Sequence, residues 1–369
     1  MRHQLTRRTV LQLAASMPLI AAGSLLSGCP QRTQYTSPKG IDKGTSGGIG
    51  NTRPKPTKVG LVTDIAGVND KSFNAMAALG LERVRTELKL PVKVIESRQN
   101  ADYVNNLSQL ARAGYEVVFA VGFLMRQATN DVAARFPDTT FIIIDAESPS
   151  LSNCAGIQYR EEEGCFLVGY LGALMSTTGV LGFIGGLDVP LIKKFEVSYQ
   201  AGAIHARKDV EIRVGYAGSF DDPQKGQEIA KLQLSTKADV IFHAAGKTGI
   251  GVIKAIAASP KGSYAIGTDR NQDGDAPGRV LTSLVKRVDL AVFESVDALV
   301  KGTFTPGSIT KGLKEKWIDL TDFAYTKDAI GPERLAKVEV VRKEILDGTI
   351  RPPVTQVQFD AYVKAAEKS

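Results

Sequence analysis

From residue 58 onward, short apolar segments rich in β-branched residues alternate with longer segments whose apolar residues recur at helical spacing. The short segments are continuous apolar runs, which are typical of strands buried on both faces of a parallel sheet. They predict strands at 59–63, 92–96, 117–121, 140–145 and 154–159. The longer segments predict helices at 73–88, 103–113, 126–135 and 161–176.

A second series of the same kind begins at residue 180. It predicts strands at 180–184, 212–216, 240–244 and 264–267, with helices at 192–206, 223–234 and 249–258. Two successive strand–helix series predict an α/β protein with two doubly wound parallel-sheet lobes around a ligand cleft. We expect the first lobe to comprise 58–177 and 288–304, and the second to comprise 178–287 and 305–352.

The remainder of the chain has a mixed pattern, which predicts connections that pass between the lobes. It contains a helical segment at 290–301, a candidate pair of β-strands around Trp317 to Tyr325, and a helical segment at 332–347. The last residues, 353–369, predict a C-terminal helix or tail.

The first 29 residues have the pattern of an export signal. Three arginines precede an apolar stretch at 10–26, which Pro18 interrupts and which ends in Leu26-Ser27-Gly28-Cys29. This ending resembles the bacterial lipobox, in which the cysteine becomes the lipidated first residue of the mature protein. A membrane-anchor helix is the alternative, and Thr6-Arg7-Arg8 leaves twin-arginine export open beside general secretion.

The segment 30–57 predicts a flexible tether. It is rich in Gly, Ser, Thr, Pro and Lys and has no apolar period, so burial cannot offset the entropy of ordering it. A lipid on Cys29, this tether and a folded domain at 58–352 together predict a protein anchored to a cell membrane outside the cytoplasm, on the periplasmic side or at the outer surface.

Composition and charge exclude several classes of protein. Of 369 residues, 43% are apolar, which is enough for a large core. The formal net charge is +7, but no block combines many Lys and Arg with interleaved aromatics, so we expect no nucleic acid partner. No metal-ligand spacing occurs, and we expect neither a metal nor a cofactor. Cys154 and Cys165 predict two buried thiols, with a disulfide as the alternative.

Polar residues and glycines collect where the predicted strands end, at Asp64, Gly122, Phe123, Asp145, Glu147, Gly185, Gly186, Gly218, Gly246 and Asp269. In open α/β sheets, ligands lie beyond the carboxyl ends of the strands, so we expect these residues to face one cleft. His205 falls in a predicted helix and His243 in a predicted strand, and neither has a Ser or Cys elbow beside it. Carboxylates without such a base suit a neutral polyhydroxylated ligand, for example one that carries ribose.

Several short motifs carry a resemblance to a known family. The loop Thr63 to Asn74, TDIAGVNDKSFN, is followed in order by Ile184-Gly185-Gly186, Lys194-Phe195-Glu196, Gly267-Thr268-Asp269 and Thr282-Ser283-Leu284-Val285-Lys286. These motifs resemble the basic membrane protein family, the PnrA-like nucleoside-binding lipoproteins of bacterial ABC importers. The resemblance covers residues 58–352 and implies a type I periplasmic-binding-protein fold that binds a purine nucleoside.

The resemblance also implies roles for individual residues. Asn74 and Asp145 would face the base, while Asp269 and Lys286 would hold the ribose hydroxyls beside the backbone of Gly246. Phe195 would stack on the base. The remaining candidates in the cleft are Asp64 and, as second stacking ring, Phe123.

Some of these residues have a purely structural alternative. Phe73 is expected to pack in the core beneath the first helix, and Asp70 and Ser72 are expected to cap that helix. Phe195 is a core residue in the alternative interpretation, and Lys286 a solvated surface lysine.

Two further motifs lack an essential residue. The segment that begins at Asp269 resembles the start of a calcium loop, but its twelfth position is Val280 instead of a bidentate Glu. Gly246-Lys247-Thr248 lacks the glycine of a phosphate-binding loop, because Ile241 stands five residues before Gly246.

The sequence therefore predicts an exported, lipid-anchored and monomeric solute-binding protein that delivers a nucleoside to the permease of an ABC importer. Three alternatives stay open: a ligand-sensing lipoprotein that signals to a membrane receptor, a binding protein for another small polyhydroxylated ligand, and an exported enzyme on the same fold.

Overall fold

The computed structural model describes residues 55–367. The predicted export signal, the predicted lipidation site Cys29 and the predicted tether up to residue 54 lie outside the described residues. Within residues 55–367, no helix has the length and apolar character that are needed to cross a membrane.

The described chain alternates strands and helices, as its apolar pattern predicts. The strands are β1 (Val59–Val62), β2 (Val92–Ile95), β3 (Val117–Val121), β4 (Thr140–Ile144), β5 (Cys154–Tyr159), β6 (Val180–Gly185), β7 (Glu211–Tyr216), β8 (Val240–Ala244), β9 (Tyr264–Asp269), β10 (Val280–Lys286), β11 (Gly307–Lys311) and β12 (Ile318–Leu320).

The helices connect these strands or follow the last of them. They are α1 (Phe73–Glu87), α2 (Tyr103–Arg112), α3 (Arg126–Ala133), α4 (Glu161–Met175), α5 (Pro190–Ala206), α6 (Pro223–Ser235), α7 (Gly249–Ala258), α8 (Val288–Lys301), α9 (Lys327–Ile330), α10 (Pro332–Leu346) and α11 (Gln356–Ala366).

These strands form two six-stranded sheets with corresponding strand orders. The first sheet runs β11-β5-β4-β3-β1-β2, and the second runs β12-β10-β9-β8-β6-β7. Every pairing is parallel except that of β10 with β12. The predicted α/β class with two doubly wound sheets is confirmed. In each sheet, the strand order reverses beside the first strand of its series, β1 or β6, which is the place where such sheets form a ligand crevice.

Three strands differ from the sequence-based expectation. β10 is a buried strand that the apolar pattern missed, because Thr282 and Ser283 interrupt its apolar run. β11 was also missed, because it is a mostly exposed edge strand of sequence GSITK. Its parallel pairing with β5 places Gly307–Lys311 in the first sheet, so its expected place in the second lobe is wrong. The pair expected around Trp317 to Tyr325 is also wrong, since β12 pairs with β10.

Helices α4 and α5 pack so closely that two glycines are required between them. A Cβ atom on Gly169 would lie 2.0 Å from the carbonyl oxygen of Tyr199, and one on Gly202 would lie 1.9 Å from that of Phe166. Both glycines therefore allow a helix–helix contact that no larger residue permits. The contact matters for the cavity described below, because α4 begins at Glu161 and α5 carries Lys194 and Phe195.

Candidate functional site

A cavity lies where the carboxyl ends of strands from both sheets meet. Its atom-free volume is about 580 Å³, including the part open to solvent. It is lined by all eight residues that the sequence offers as ligand contacts: Asp64, Asn74, Phe123, Asp145, Phe195, Gly246, Asp269 and Lys286. Their common location is a structural finding, whereas their contact with a ligand stays a prediction.

Two aspartates occupy corresponding places in the two sheets. Asp145 directly follows β4, and Asp269 is the last residue of β9, the strand in the matching position. Their φ angles are 68° and 69°, in the left-handed region that Asp tolerates better than most residues. Each sheet therefore brings one carboxylate to the cavity through the same local backbone geometry.

The start of α1 is organised by Asp70. Its carboxylate accepts hydrogen bonds from the backbone N–H groups of Ser72 at 2.9 Å, Asn74 at 2.7 Å and Ala75 at 3.0 Å. These donors have no partner within the helix, so the predicted capping role of Asp70 is confirmed. The capping role predicted for Ser72 is wrong, because its hydroxyl makes no cap bond and instead donates to Asp269 Oδ2.

Asn74 is held in one orientation by two carboxylates. Its Nδ2 donates to Asp64 Oδ1 at 2.7 Å and to Asp70 Oδ2 at 3.0 Å. Its Oδ1 is buried and has no hydrogen-bond partner among the described residues. Asp64 Oδ1 also accepts from the N–H of Ala66 at 2.9 Å. Burial raises the pKa of Asp64 above its ordinary value, although these hydrogen bonds oppose the shift.

Lys286, at the end of β10, is buried among carboxylates and rings. Its Nζ lies 2.6 Å from Asp145 Oδ1 and 2.8 Å from Glu161 Oε1. The same atom lies 5.2 Å from the ring centre of Phe73 and 5.8 Å from that of Phe195. Only 2% of Lys286 is exposed, so the alternative of a solvated surface lysine is wrong.

Glu161, at the start of α4, joins Lys286 to a second lysine. It forms an ion pair with Lys194, whose Nζ also donates to the carbonyl of Tyr159 at 2.9 Å. Burial alone would raise the pKa of Glu161, but Lys194 and Lys286 outweigh it and lower the pKa to about 2. Burial alone would lower the pKa of Lys286, but Asp145, Glu161 and Asp269 raise it. Sequence analysis missed Glu161, because three consecutive glutamates at a helix start are also typical of a solvated first turn.

The carboxylate of Asp269 is buried. Burial raises its pKa to about 6, and the attraction of Lys286 and the hydrogen bond from Ser72 only partly offset this effect. The pKa of Asp145 is also raised, because burial outweighs the attraction of Lys286. The cavity therefore holds carboxylates that are easier to protonate than free aspartate.

Four phenylalanines line the cavity: Phe73, Phe123, Phe195 and Phe220. Phe73 packs against the core as expected, and its half-buried ring also lines the cavity beside Lys286. Phe195 lies both in the cavity wall and in the core. It lines the cavity but is only 3% exposed, and it stacks on the core residue Phe242 with ring centres 6.5 Å apart.

Phe220 is a cavity residue that sequence analysis missed. The carbonyl of Phe220 accepts from the N–H of Thr248 at 3.1 Å, and the Thr248 hydroxyl donates to the carbonyl of Ser219 at 2.9 Å. Gly246 lies beside this ring, where a Cβ atom would come within 3.3 Å of the Phe220 carbonyl oxygen, and its φ of 55° favours glycine. Phe220 could have been found from the sequence, because it is an aromatic residue in a strand-to-helix loop, two positions after Gly218.

The side chains of the two rejected motifs have structural partners. Lys247 pairs with Asp221 at 2.6 Å. Asp273 accepts from the Ser283 hydroxyl at 2.7 Å, and Asp275 pairs with Arg270 at 2.5 Å. Within residues 55–367, no group of His, Cys, Asp or Glu has an arrangement that would hold a metal ion.

The state of Cys165 decides whether Cys154 and Cys165 form a disulfide. Cys165 is a buried free thiol in α4, so it does not pair with Cys154, as expected. Burial raises the pKa of the Cys165 thiol well above its ordinary value. This thiol is therefore not ionised at neutral pH and packs as a small apolar side chain.

The two corresponding sheets, with a cavity between their strand ends, define the class of two-lobed solute-binding proteins. Residues 57–356 match the family model Bmp, described as ABC transporter substrate-binding protein PnrA-like. The chain belongs to this family. Because the family consists of substrate-binding proteins, the protein is not an enzyme, and a ligand and an ABC transporter are its partners. The alternative of an exported enzyme is thereby excluded.

Individual relatives are similar over nearly their whole length. Basic membrane protein A of Borreliella burgdorferi is 34% identical over 324 residues, covering 86% of this chain and 93% of the relative. The ABC transporter nucleoside-binding protein BmpA of Lactococcus lactis is 32% identical over 364 residues, covering 92% and 98%. A crystal structure of an ABC transporter solute-binding protein from Aeropyrum pernix has a TM-score of 0.78 at 28% identity, covering 84% of this chain and 98% of that one.

Proposed function

We propose that this protein is a lipid-anchored, extracytoplasmic binding protein that captures a nucleoside and delivers it to its ABC importer. The observation that carries the proposal is the combination of aromatic rings and free hydrogen-bond acceptors in one cavity between the two sheets. Rings such as Phe73 and Phe220 offer flat apolar faces to a base, while the cavity carboxylates offer acceptors to hydroxyl groups.

The hydrogen-bonding capacity of the cavity supports a ligand that is rich in donors. Most donors on its polar side chains are already used: Asn74 Nδ2 binds two aspartates, and the Thr268 hydroxyl donates to the carbonyl of His243. The Nζ atom of Lys286 forms ion pairs with Asp145 and Glu161. Most of the hydrogen-bonding groups that remain free in the cavity are acceptors, which fits the vicinal hydroxyls of ribose.

The position of the charged groups supports an orientation for the ligand. Asp269 and Lys286, which the resemblance assigns to the ribose hydroxyls, lie close enough to attract each other, and charged groups form the strongest hydrogen bonds to sugar hydroxyls. Asp64 and Asn74 lie on the side of Phe73 and Gly122, where a ring can stack. We therefore place the sugar at the Asp269 end and the base at the Asp64 end. The name of the Lactococcus lactis relative, a nucleoside-binding protein, agrees with this assignment.

The proposed binding is tested with the full-length chain purified in detergent, by titration calorimetry. The ligands are guanosine, adenosine, uridine, free ribose and free guanine. We expect at least one nucleoside to bind far more tightly than ribose or the free base, because only a nucleoside occupies both ends of the cavity. Tight binding of ribose alone, or no binding of any nucleoside, would contradict the proposal.

The proposed lipid anchor rests on Leu26-Ser27-Gly28-Cys29. Cys29→Ser should release the protein from the membrane fraction and abolish labelling with a radioactive fatty acid. Binding should be unchanged, because Cys29 lies outside residues 55–367, to which all the cavity residues named above belong. A Cys29→Ser protein that stays in the membrane fraction would contradict lipid anchoring without affecting the binding proposal.

A further inference from the structure

The carbonyl oxygen of Lys71 accepts hydrogen bonds from two side chains that follow a strand of the other sheet. Arg270 Nε donates to it at 2.6 Å, and Gln272 Nε2 donates to it at 3.2 Å. Lys71 lies in the loop between β1 and α1, whereas Arg270 and Gln272 come directly after β9. These two hydrogen bonds, which we call the Lys71 latch, therefore join a loop of the first sheet to a segment of the second.

Arg270 is oriented by its own segment. Its Nη1 donates to the carbonyl of Asn271 at 2.7 Å, and its Nη2 pairs with Asp275 at 2.5 Å. Both partners lie within five residues of Arg270, so they hold the guanidinium whether or not it contacts the other sheet. Because the planar group is already oriented, little side-chain entropy is lost when its Nε donates to Lys71.

Gln272 is oriented in the same way, and its amide atoms can be assigned from the hydrogen bonds. Its Oε1 accepts from the backbone N–H of Thr268 at 2.9 Å, a group that can only donate. The atom of Gln272 that faces Lys71 is therefore the amide nitrogen. The same Oε1 lies 3.0 Å from Nε2 of His243, which must then carry a proton. Gln272 and His243 are both fully buried, so the surrounding side chains fix this arrangement.

The latch lies directly beside the cavity. Lys71 follows Asp70 in the chain, Arg270 follows Asp269, and both aspartates line the cavity. Among residues 55–367, those that line the cavity include neither Arg270 nor Gln272. Both donors thus join the two sheets at the edge of the cavity and leave the contact with the ligand to their neighbours.

We propose that Arg270 and Gln272 are positioning residues that slow the release of the bound ligand through the Lys71 latch. The two hydrogen bonds must break before the joined segments separate, so they stabilise the bound state against release. They form after the ligand has entered, so their effect falls on the dissociation rate and not on the association rate. This inference rests on the proposed nucleoside function for the choice of ligands in its test.

The proposal is tested by filter binding with the full-length chain in detergent. The ligands are tritiated guanosine, adenosine and uridine, and a chase with excess unlabelled nucleoside gives the dissociation rate. Arg270→Met removes the charged donor but keeps the length of the side chain. It should raise the dissociation rate roughly 10-fold and leave the association rate unchanged. The factor should be the same for every nucleoside that binds, because Arg270 does not touch the ligand.

The variant Gln272→Glu gives a sharper test, because it changes the shape of the side chain very little. Oε1 must remain the acceptor for its two buried donors, so Oε2 takes the place of the amide nitrogen and faces the Lys71 carbonyl. Two acceptors then meet, and the dissociation rate should rise at least as much as in Arg270→Met. The matched control is Arg207→Gln, which breaks a surface pair with Asp209 and should leave both rates unchanged.

The outcomes separate this inference from the function on which it rests. An unchanged dissociation rate in a folded Arg270→Met protein overturns the inference while nucleoside binding stands. A factor that differs among the nucleosides also overturns it, because it would show direct contact with the ligand. Urea unfolding checks that each variant is folded, and the partly exposed Arg270 provides the test if Gln272→Glu does not fold. If none of the three nucleosides binds the wild-type protein, the proposed function fails, and the inference fails with it.

Discussion

The Ser72 hydroxyl donates a hydrogen bond to Asp269 Oδ2, although 197 residues separate them. Ser72 lies in the loop between β1 and α1, and Asp269 ends β9 of the other sheet. Two bonds accompany this contact. The carbonyl of Lys71 accepts from Arg270 Nε at 2.6 Å and from Gln272 Nε2 at 3.2 Å. The loop before α1 is therefore bound to the segment after β9. Because Asp269 also lines the cavity, a ligand that binds Asp269 acts on the same contact that joins the two sheets.

Asp269→Asn should weaken nucleoside binding by about 1.5–3 kcal/mol for each hydrogen bond lost, because bonds to a charged acceptor are the strongest. Its effect on a 2′-deoxynucleoside should be much smaller, since that ligand lacks one of the hydroxyls. Titration of both ligands against both proteins completes a double-mutant cycle. Equal losses for the two ligands would show that Asp269 does not contact the 2′-hydroxyl.

The raised pKa of Asp269 predicts opposite pH dependences for affinity and stability. The ionised carboxylate is the better acceptor, so nucleoside affinity should fall as the pH drops through about 6. The folded ligand-free protein holds this proton more tightly than the unfolded chain, whose Asp has a pKa of 3.8. Stability from this group is therefore fully present below about pH 4 and is lost as the pH rises to about 6. The charged groups near Asp269 include Lys286 and the carboxylates of Asp64, Asp70, Asp145 and Glu161.

Urea unfolding of the ligand-free protein at pH 5 and pH 7.5 measures the stability effect. Asp269→Asn removes the titration, so it should raise the free energy of unfolding at pH 7.5 by on the order of 1–3 kcal/mol and have less effect at pH 5. A variant that is destabilised equally at both pH values would show that burial of this carboxylate does not oppose folding.

Phe73→Ala and Phe195→Ala should differ in their effects on nucleoside affinity and on the free energy of unfolding. Phe73 is half-buried at the cavity wall, so its removal should weaken nucleoside binding by about 1–3 kcal/mol, the range for base–aromatic stacking, with little loss of stability. Phe195 also packs on Phe242, so its removal should lower the free energy of unfolding by about 3–5 kcal/mol. Calorimetric affinities and urea unfolding of both variants are compared. Unchanged affinity of Phe73→Ala would remove this ring from the site.

Glu161→Gln should destabilise the protein although Glu161 does not line the cavity. The substitution leaves the buried Lys286 and the half-buried Lys194 with less negative charge around them, and breaking a buried ion pair costs about 3–5 kcal/mol. Glu82→Gln, which breaks the exposed pair with Arg85, is the matched control and should not change stability measurably. Equal unfolding midpoints of Glu161→Gln and Glu82→Gln in urea would contradict a structural role for the buried pair.

Local sequence pattern determined the two strand series and the position of most site residues. Continuous apolar runs form buried parallel strands whatever their neighbours are, and polar residues at their ends must then lie at the carboxyl edges of the sheets. Asp64, Asp145, Gly246 and Asp269 follow from this rule, and the sequence resemblance added Asn74, Phe195 and Lys286. Asp70 was also predictable as a cap, because a cap acts only on the helix that follows it.

Tertiary structure alone decided the contacts between distant segments. Nothing local distinguishes Ser72 as a partner of Asp269, or Glu161 as a partner of Lys286, which is 125 residues away. The strand β11 is too polar to show an apolar period, and only the free edge of β5 assigns it to the first sheet. Phe73 lines the cavity in addition to packing against the core, because the direction of a side chain at the start of a helix depends on how that helix packs. Local periodicity determines elements, and the position of the two sheets relative to each other determines which side chains at their strand ends meet.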